Sequence, residues 1–153
     1  MKTLWIIVLF TLSLAACKKS DEPKPEPEPA EIVSAEYNQT VLGVDQGDGK
    51  GYREFTYPLT VATGIQSTAK IIVTRVDANS VKLVRTQQET GKTDDTRTLG
   101  TVTLQKNSTG YDLLVNTTNV GLANGTTIEV RIPTAATATA TAGLIVHKAT
   151  KIR

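Results

Sequence analysis

Thr127-Ile128-Glu129-Val130-Arg131-Ile132 sets an apolar β-branched side chain at every second position and a polar one between. Period two is the repeat of a strand that shows one face to a core and the other to water, so this hexapeptide reads as a half-buried β-strand. The same alternation runs through Glu54-Phe55-Thr56-Tyr57-Pro58-Leu59-Thr60-Val61, which would put Phe55, Tyr57, Leu59 and Val61 on one apolar face. Pro58 has no N–H to give to a ladder, which predicts an edge strand or a bulge there. Outward from these two, weaker strands are predicted at residues 32–42, 69–76, 80–86, 98–105, 111–116 and 144–149, about eight strands in all.

Composition agrees with this reading. Residues 31–153 hold 23 Thr, 13 Val and 8 Ile, more than a third of 123 residues. Stiff β-branched side chains favour strands over helices. No stretch of a dozen residues repeats apolar side chains at helical spacing without a glycine in it. Asp77-Ala78-Asn79, Asn107-Ser108-Thr109-Gly110 and Ala123-Asn124-Gly125 supply turn residues between the strands. Such short links, with no helix to carry a parallel crossover, predict an all-β, antiparallel up-and-down meander. An even number of strands lets the meander close and remove its edges, as a small barrel. An immunoglobulin-like sandwich is the alternative. Sandwiches of that kind often carry a buried Trp or a Cys pair, and residues 31–153 contain neither.

The N-terminus has a different character. Lys2 precedes an apolar run at residues 4–14, broken only by Thr11 and Ser13. This is a signal peptide by length and flanks, too short to span a bilayer. Leu14-Ala15-Ala16-Cys17 resembles a bacterial lipobox, in which the Cys17 thiol takes a diacylglycerol and the chain is cut before it. Acyl chains bring about 0.8 kcal/mol per buried CH₂, so two or three of them hold a protein on a membrane. Lys18-Lys19-Ser20-Asp21-Glu22 resembles the export signal of surface lipoproteins of the Bacteroidota, which implies a lipid-anchored outer-membrane protein displayed at the cell surface. Pro23 to Pro29 alternates proline with charge, and missing N–H groups leave polyproline II as the accessible conformation. Residues 1–16 are thus read as signal, residues 17–30 as lipidated Cys and tether, and residues 31–153 as the all-β domain. The tether reaches roughly 40 Å.

A second resemblance lies in the domain. Lys70-Ile71-Ile72-Val73-Thr74-Arg75-Val76-Asp77-Ala78-Asn79-Ser80-Val81-Lys82-Leu83, then Leu99-Gly100-Thr101-Val102-Thr103-Leu104 and Gly110-Tyr111-Asp112-Leu113, resemble the calycin-like, lipocalin-related β-barrel domains of Bacteroidota lipoproteins. The likeness is one of strand order and turn placement and includes no catalytic motif. It departs at Ala35-Glu36-Tyr37, where such domains often open on Gly-x-Tyr. It implies a non-catalytic binding module whose barrel interior, or one open end, holds a small apolar or amphipathic ligand. A lining of Val, Ile and Thr would leave it room. An accessory lipoprotein that docks on another envelope protein is the alternative.

Little else in the chain carries chemistry. Cys17 is the only Cys, and residues 31–153 have no Met and no Trp, which leaves no thiol catalysis and no Cys-based metal site. Thirteen Lys/Arg against 11 Asp/Glu in those residues is too balanced for a nucleic-acid surface. His147, the only histidine, has no second ligand type at i+2 or i+4 and reads as a surface or packing residue. Gly43-Val44-Asp45-Gln46-Gly47-Asp48-Gly49-Lys50-Gly51 has neither Walker nor EF-hand spacing and reads as a hairpin loop. Glu89 to Arg97 reads as a solvated loop, and Thr134 to Ala142, alternating Ala and Thr, as a flat edge or a loop. Phe55 and Tyr57 read as core first and cavity lining second. No catalytic residue, metal ligand or cofactor is assigned.

Overall fold

The computed structural model describes residues 25–137 and 140–152. The signal, the lipobox residues Leu14, Ala15 and Ala16, Cys17 and the export stretch Lys18, Lys19, Ser20, Asp21 and Glu22 lie outside them.

One short helix, α1 (Pro29–Val33), leads into ten strands: β1 (Ala35–Asp45), β2 (Arg53–Thr56), β3 (Leu59–Ala62), β4 (Ile65–Arg75), β5 (Ser80–Glu89), β6 (Asp95–Lys106), β7 (Tyr111–Val115), β8 (Thr118–Ala123), β9 (Thr127–Thr134) and β10 (Gly143–Lys151). All pairings are antiparallel, in the order β2-β1-β10-β9-β8-β7-β6-β5-β4-β3. β1 also pairs with β4, which closes eight strands into a barrel and leaves β2 and β3 outside the ring. The chain is therefore a closed meander, not a sandwich.

The two extra strands follow from a fork. β1 and β4 pair only over Ala35–Asn38 against Lys70–Val73. Beyond that point β2 pairs with the second half of β1, and β3 with the first half of β4. Tyr57 and Pro58 bridge the fork through a cis peptide bond, and the Tyr57 N–H donates to Thr40 O at 2.9 Å. The single strand expected over residues 54–61 is thus corrected to two, broken where Pro58 cannot donate. Tyr57 turns inward, whereas Phe55 and Val61, expected in the core, are 43% and 52% exposed. Two further corrections concern Ile32 and Val33, which belong to α1, and β8, which was not foreseen.

Inward-facing side chains of successive strands fill one half of the barrel. Tyr37, Ile71, Leu83, Leu113 and Ile128 are all essentially inaccessible, each burial stabilising by about 1.5–3 kcal/mol. α1 closes this half. Its Ala30 and Val33 are fully buried, Ala30 N–H donates to Ala78 O at 3.1 Å, and Glu28 just before it pairs with Arg75. Ala30, the last residue read as tether, is therefore part of the packed unit. With a closed ladder, its own core and its own plug, the segment from Pro25 onward holds what a domain needs to fold alone.

Tyr37 fastens the plug to the wall. Its hydroxyl donates to Val33 O at 2.7 Å inside the core, and burial pushes its pKa up to about 12. Tyr37→Phe leaves that carbonyl without its side-chain donor, an expected loss of about 1–2 kcal/mol. Urea unfolding would read it, together with faster amide exchange in α1. An unchanged midpoint would mean the hydrogen bond contributes nothing.

Candidate functional site: the open end of the barrel

Opposite α1 the barrel opens. Two irregularities decide which side chains look into this mouth. In β1 the register slips between Gln39 and Val41, so Leu42 and Val44, rather than Val41, come to lie opposite His147 and Ile145. In β6 the partners step from Leu83↔Gly100 to Val84↔Thr98, leaving Leu99 as an extra residue. Gly100 takes φ +139°, a conformation that side chains disfavour. Below this bulge Val102 and Leu104 face the core. Above it the phase is reversed, and Leu99, Arg97 and Asp95 line the mouth.

At the centre of the mouth stands Arg85, only 6% exposed. Its Nε donates to Gln39 Oε1 at 2.9 Å, and its Nη2 donates to the Tyr57 hydroxyl at 2.9 Å and to Gln87 Oε1 at 2.8 Å. Gln87 is held in turn by its Nε2 donating to Ser67 Oγ at 2.9 Å. Every partner is neutral. Among the described residues no carboxylate pairs with Arg85, and Asp95, on the same cleft, is paired with Arg97 at 3.1 Å. A guanidinium keeps its charge at any ordinary pH, so the mouth holds a desolvated cation held by dipoles alone.

His147 stands beside it, 5% exposed. Burial pushes its pKa down to about 4, with the charge of Arg85 adding to the effect, so the ring is neutral at pH 7. Its Nδ1 is buried and has no hydrogen-bond partner among the described residues.

The cleft over these groups measures about 420 Å³, with Leu42, Val44, Leu99, Ile132 and Ile145 as its apolar walls. A second cleft of about 290 Å³ adjoins it. The β8–β9 pairing ends at Gly121↔Val130, so the barrel wall is open beyond that point. Leu83, Val102, Val120 and Val130 line this gap, and Leu99 and Ile132 are shared by both clefts. One side of the mouth is thus mostly apolar, with Asn116, Thr118 and Arg131 also lining it, and the other carries the buried cation.

The remaining sequence candidates lie elsewhere. At the β1–β2 hairpin the carboxylates of Asp45, the last residue of β1, and of Asp48 accept from the N–H groups of Gly47 at 2.9 Å and Lys50 at 3.0 Å, as turn residues do. Thr141 N–H donates to Gly47 O at 3.0 Å, which ties the Ala/Thr segment to that loop. Glu89 ends β5 and Asp95 opens β6, so the polar loop between them is shorter than expected. Among the described residues no group of three or more His, Asp or Glu converges as a metal site would. Arg85 was not foreseen. Its signal was nevertheless present, since Val81, Leu83 and Arg85 keep one period-two phase and the third of them falls on the buried face.

Fold and site together define a closed eight-stranded antiparallel barrel, plugged at one end and open at the other onto an apolar cleft with one buried cation. Compared with known proteins, the chain matches no family model, no curated protein and no solved structure.

Proposed function

We propose that this chain is a lipid-anchored, non-catalytic binding module of the outer membrane, displayed at the cell surface, whose barrel mouth holds a small apolar or amphipathic ligand. The observation that carries the ligand reading is the mouth itself. Apolar walls are left uncovered at one end of an otherwise packed barrel, around polar groups fixed by hydrogen bonds, the usual composition of a small-molecule site. A closed barrel of eight strands also supports the calycin-like resemblance. The anchor rests on Leu14-Ala15-Ala16-Cys17. An accessory role on another envelope protein has less in its favour, because exposed apolar side chains such as Val76 and Leu122 are scattered singly around the surface.

Thermal unfolding of residues 25–153 with fatty acids, porphyrins and bile-type molecules tests the ligand reading. A ligand at roughly 100 times its Kd is expected to add about 2.7 kcal/mol and raise the Tm by about 10 °C. No shift with any of them would count against it. Cys17→Ala in the full chain is expected to move the protein out of the membrane fraction, and retention there would remove the anchor from the proposal.

A further inference from the structure

We infer that the ligand of the barrel mouth carries an anionic head group on an apolar tail, with the head at Arg85 and the tail along Leu99 and Ile132 toward the gap between β8 and β9. This rests on the ligand-binding reading above and specifies it.

Three observations lead there. First, Arg85 is buried with no counter-charge. Its three hydrogen bonds go to Gln39, Tyr57 and Gln87, all neutral, and Nη1 has no acceptor among the described residues. A buried cation without an anion is costly, and an incoming carboxylate or phosphate would be stabilised by a charge-assisted bond in a place poor in water. Second, the charges that line the cleft leave it positive. Asp95 is balanced by Arg97 at the exposed rim, and His147 is neutral at pH 7, so the charge of Arg85 remains. Third, His147 lines the same cleft, and its buried Nδ1 has no hydrogen-bond partner among the described residues.

Apolar length comes from the other side. Leu83, Val102, Val120 and Val130 line the second cleft beside Asn116, Thr118 and an Arg131 already paired with Glu129, and this cleft meets that of Arg85 at Leu99 and Ile132. A neutral apolar molecule would satisfy this side and leave Arg85 uncompensated. A small free anion would satisfy Arg85 and leave the apolar wall wet. An amphipathic anion satisfies both.

The test compares probes that differ only in the head. Dodecanoate, dodecyl phosphate and dodecanol, kept below their aggregation limits, would be titrated into residues 25–153 by calorimetry, with acetate and inorganic phosphate as tail-free probes. Either long-chain anion is expected to bind at least roughly tenfold more tightly than dodecanol. The ratio between the two anions reports which head is preferred, and acetate and phosphate alone should bind far more weakly. Arg85→Gln is expected to abolish the advantage of the anions over dodecanol. Arg85→Lys is expected to keep part of it. The comparison on the unaltered protein stands even if Arg85→Gln fails to fold. Equal binding of dodecanol and both anions would overturn the inference and leave the ligand reading in place. Acetate or phosphate binding as tightly as the long-chain anions would overturn it in favour of a free-anion site. No binding of any probe would overturn both.

Discussion

Lowering the pH from 7.5 to 4 is expected to cost the barrel up to about 3 kcal/mol through His147 alone. The folded ring titrates at about 4 because it is buried and faces Arg85, against an ordinary value of 6.5. Between those two values the unfolded chain takes up a proton that the folded one refuses, so stability falls as pH falls. The loss starts near pH 6.5 and is complete near pH 4. Glu54 and Asp48 enter only at its lower edge. Glu54, held below the usual range by its bond with Lys148, and Asp48, held down by the Lys50 backbone N–H, lose their contributions only as pH falls below about 4.5. Urea unfolding at half-unit intervals would measure the slope for the native chain and for His147→Leu. The native slope should flatten in the variant between pH 6.5 and 4.5. An identical slope in both would mean that the ring is not desolvated in the way its position implies.

Gly121→Ala is expected to cost about 3 kcal/mol or more, the upper range for forcing atoms into a packed site. Gly121 pairs with Val130 at the last rung of the β8–β9 ladder, and a Cβ there would fall well inside contact distance of the Glu129 carbonyl oxygen. The obstacle is backbone of a neighbouring strand, so relief requires β8 and β9 to separate. Gly49→Ala is the control. Gly49 lies in the β1–β2 loop at φ +78° with nothing within 4 Å of an added Cβ, so only the backbone preference of about 1 kcal/mol is lost. Chemical unfolding of the two variants should separate them by about 2 kcal/mol. Equal losses would show that conformation, and not the approach of β9, decides the cost at Gly121.

Most of the architecture was legible as period two. Alternation over residues 127–132, weaker strands such as 69–76 and turn residues between them predict a closed antiparallel meander, which the ring of eight strands is. The breaks in that period were harder to read. Pro58 marks a place that cannot pair, yet Phe55 and Val61 keep the alternation of core residues on either side of it, because the fork between β1 and β4 is a property of the ring. β8 was hidden because its buried positions are the small Gly121 and Ala123 while Leu122 faces out, and Gly121 is there to admit β9, which no local pattern reveals. The mouth was missed for the same reason. Arg85 keeps the phase of Val81 and Leu83, but Leu99 comes to line the mouth, with Arg97 at its rim, only through the bulge at Gly100, and Leu42 and Val44 only through the slip after Gln39. Partners for Arg85 come from β1, from the β2–β3 bridge and from its own strand, a convergence that only closure creates.

The most direct measurement of the central claim is an amide chemical-shift map of residues 25–153 during titration with dodecanoate. Saturating shifts are expected at Leu42, Arg85, Leu99, Ile132 and His147, around the open end and away from α1. Shifts confined to the outer wall at Thr40, Asn124 and Lys148, or none at any residue, would contradict a ligand site in the barrel mouth.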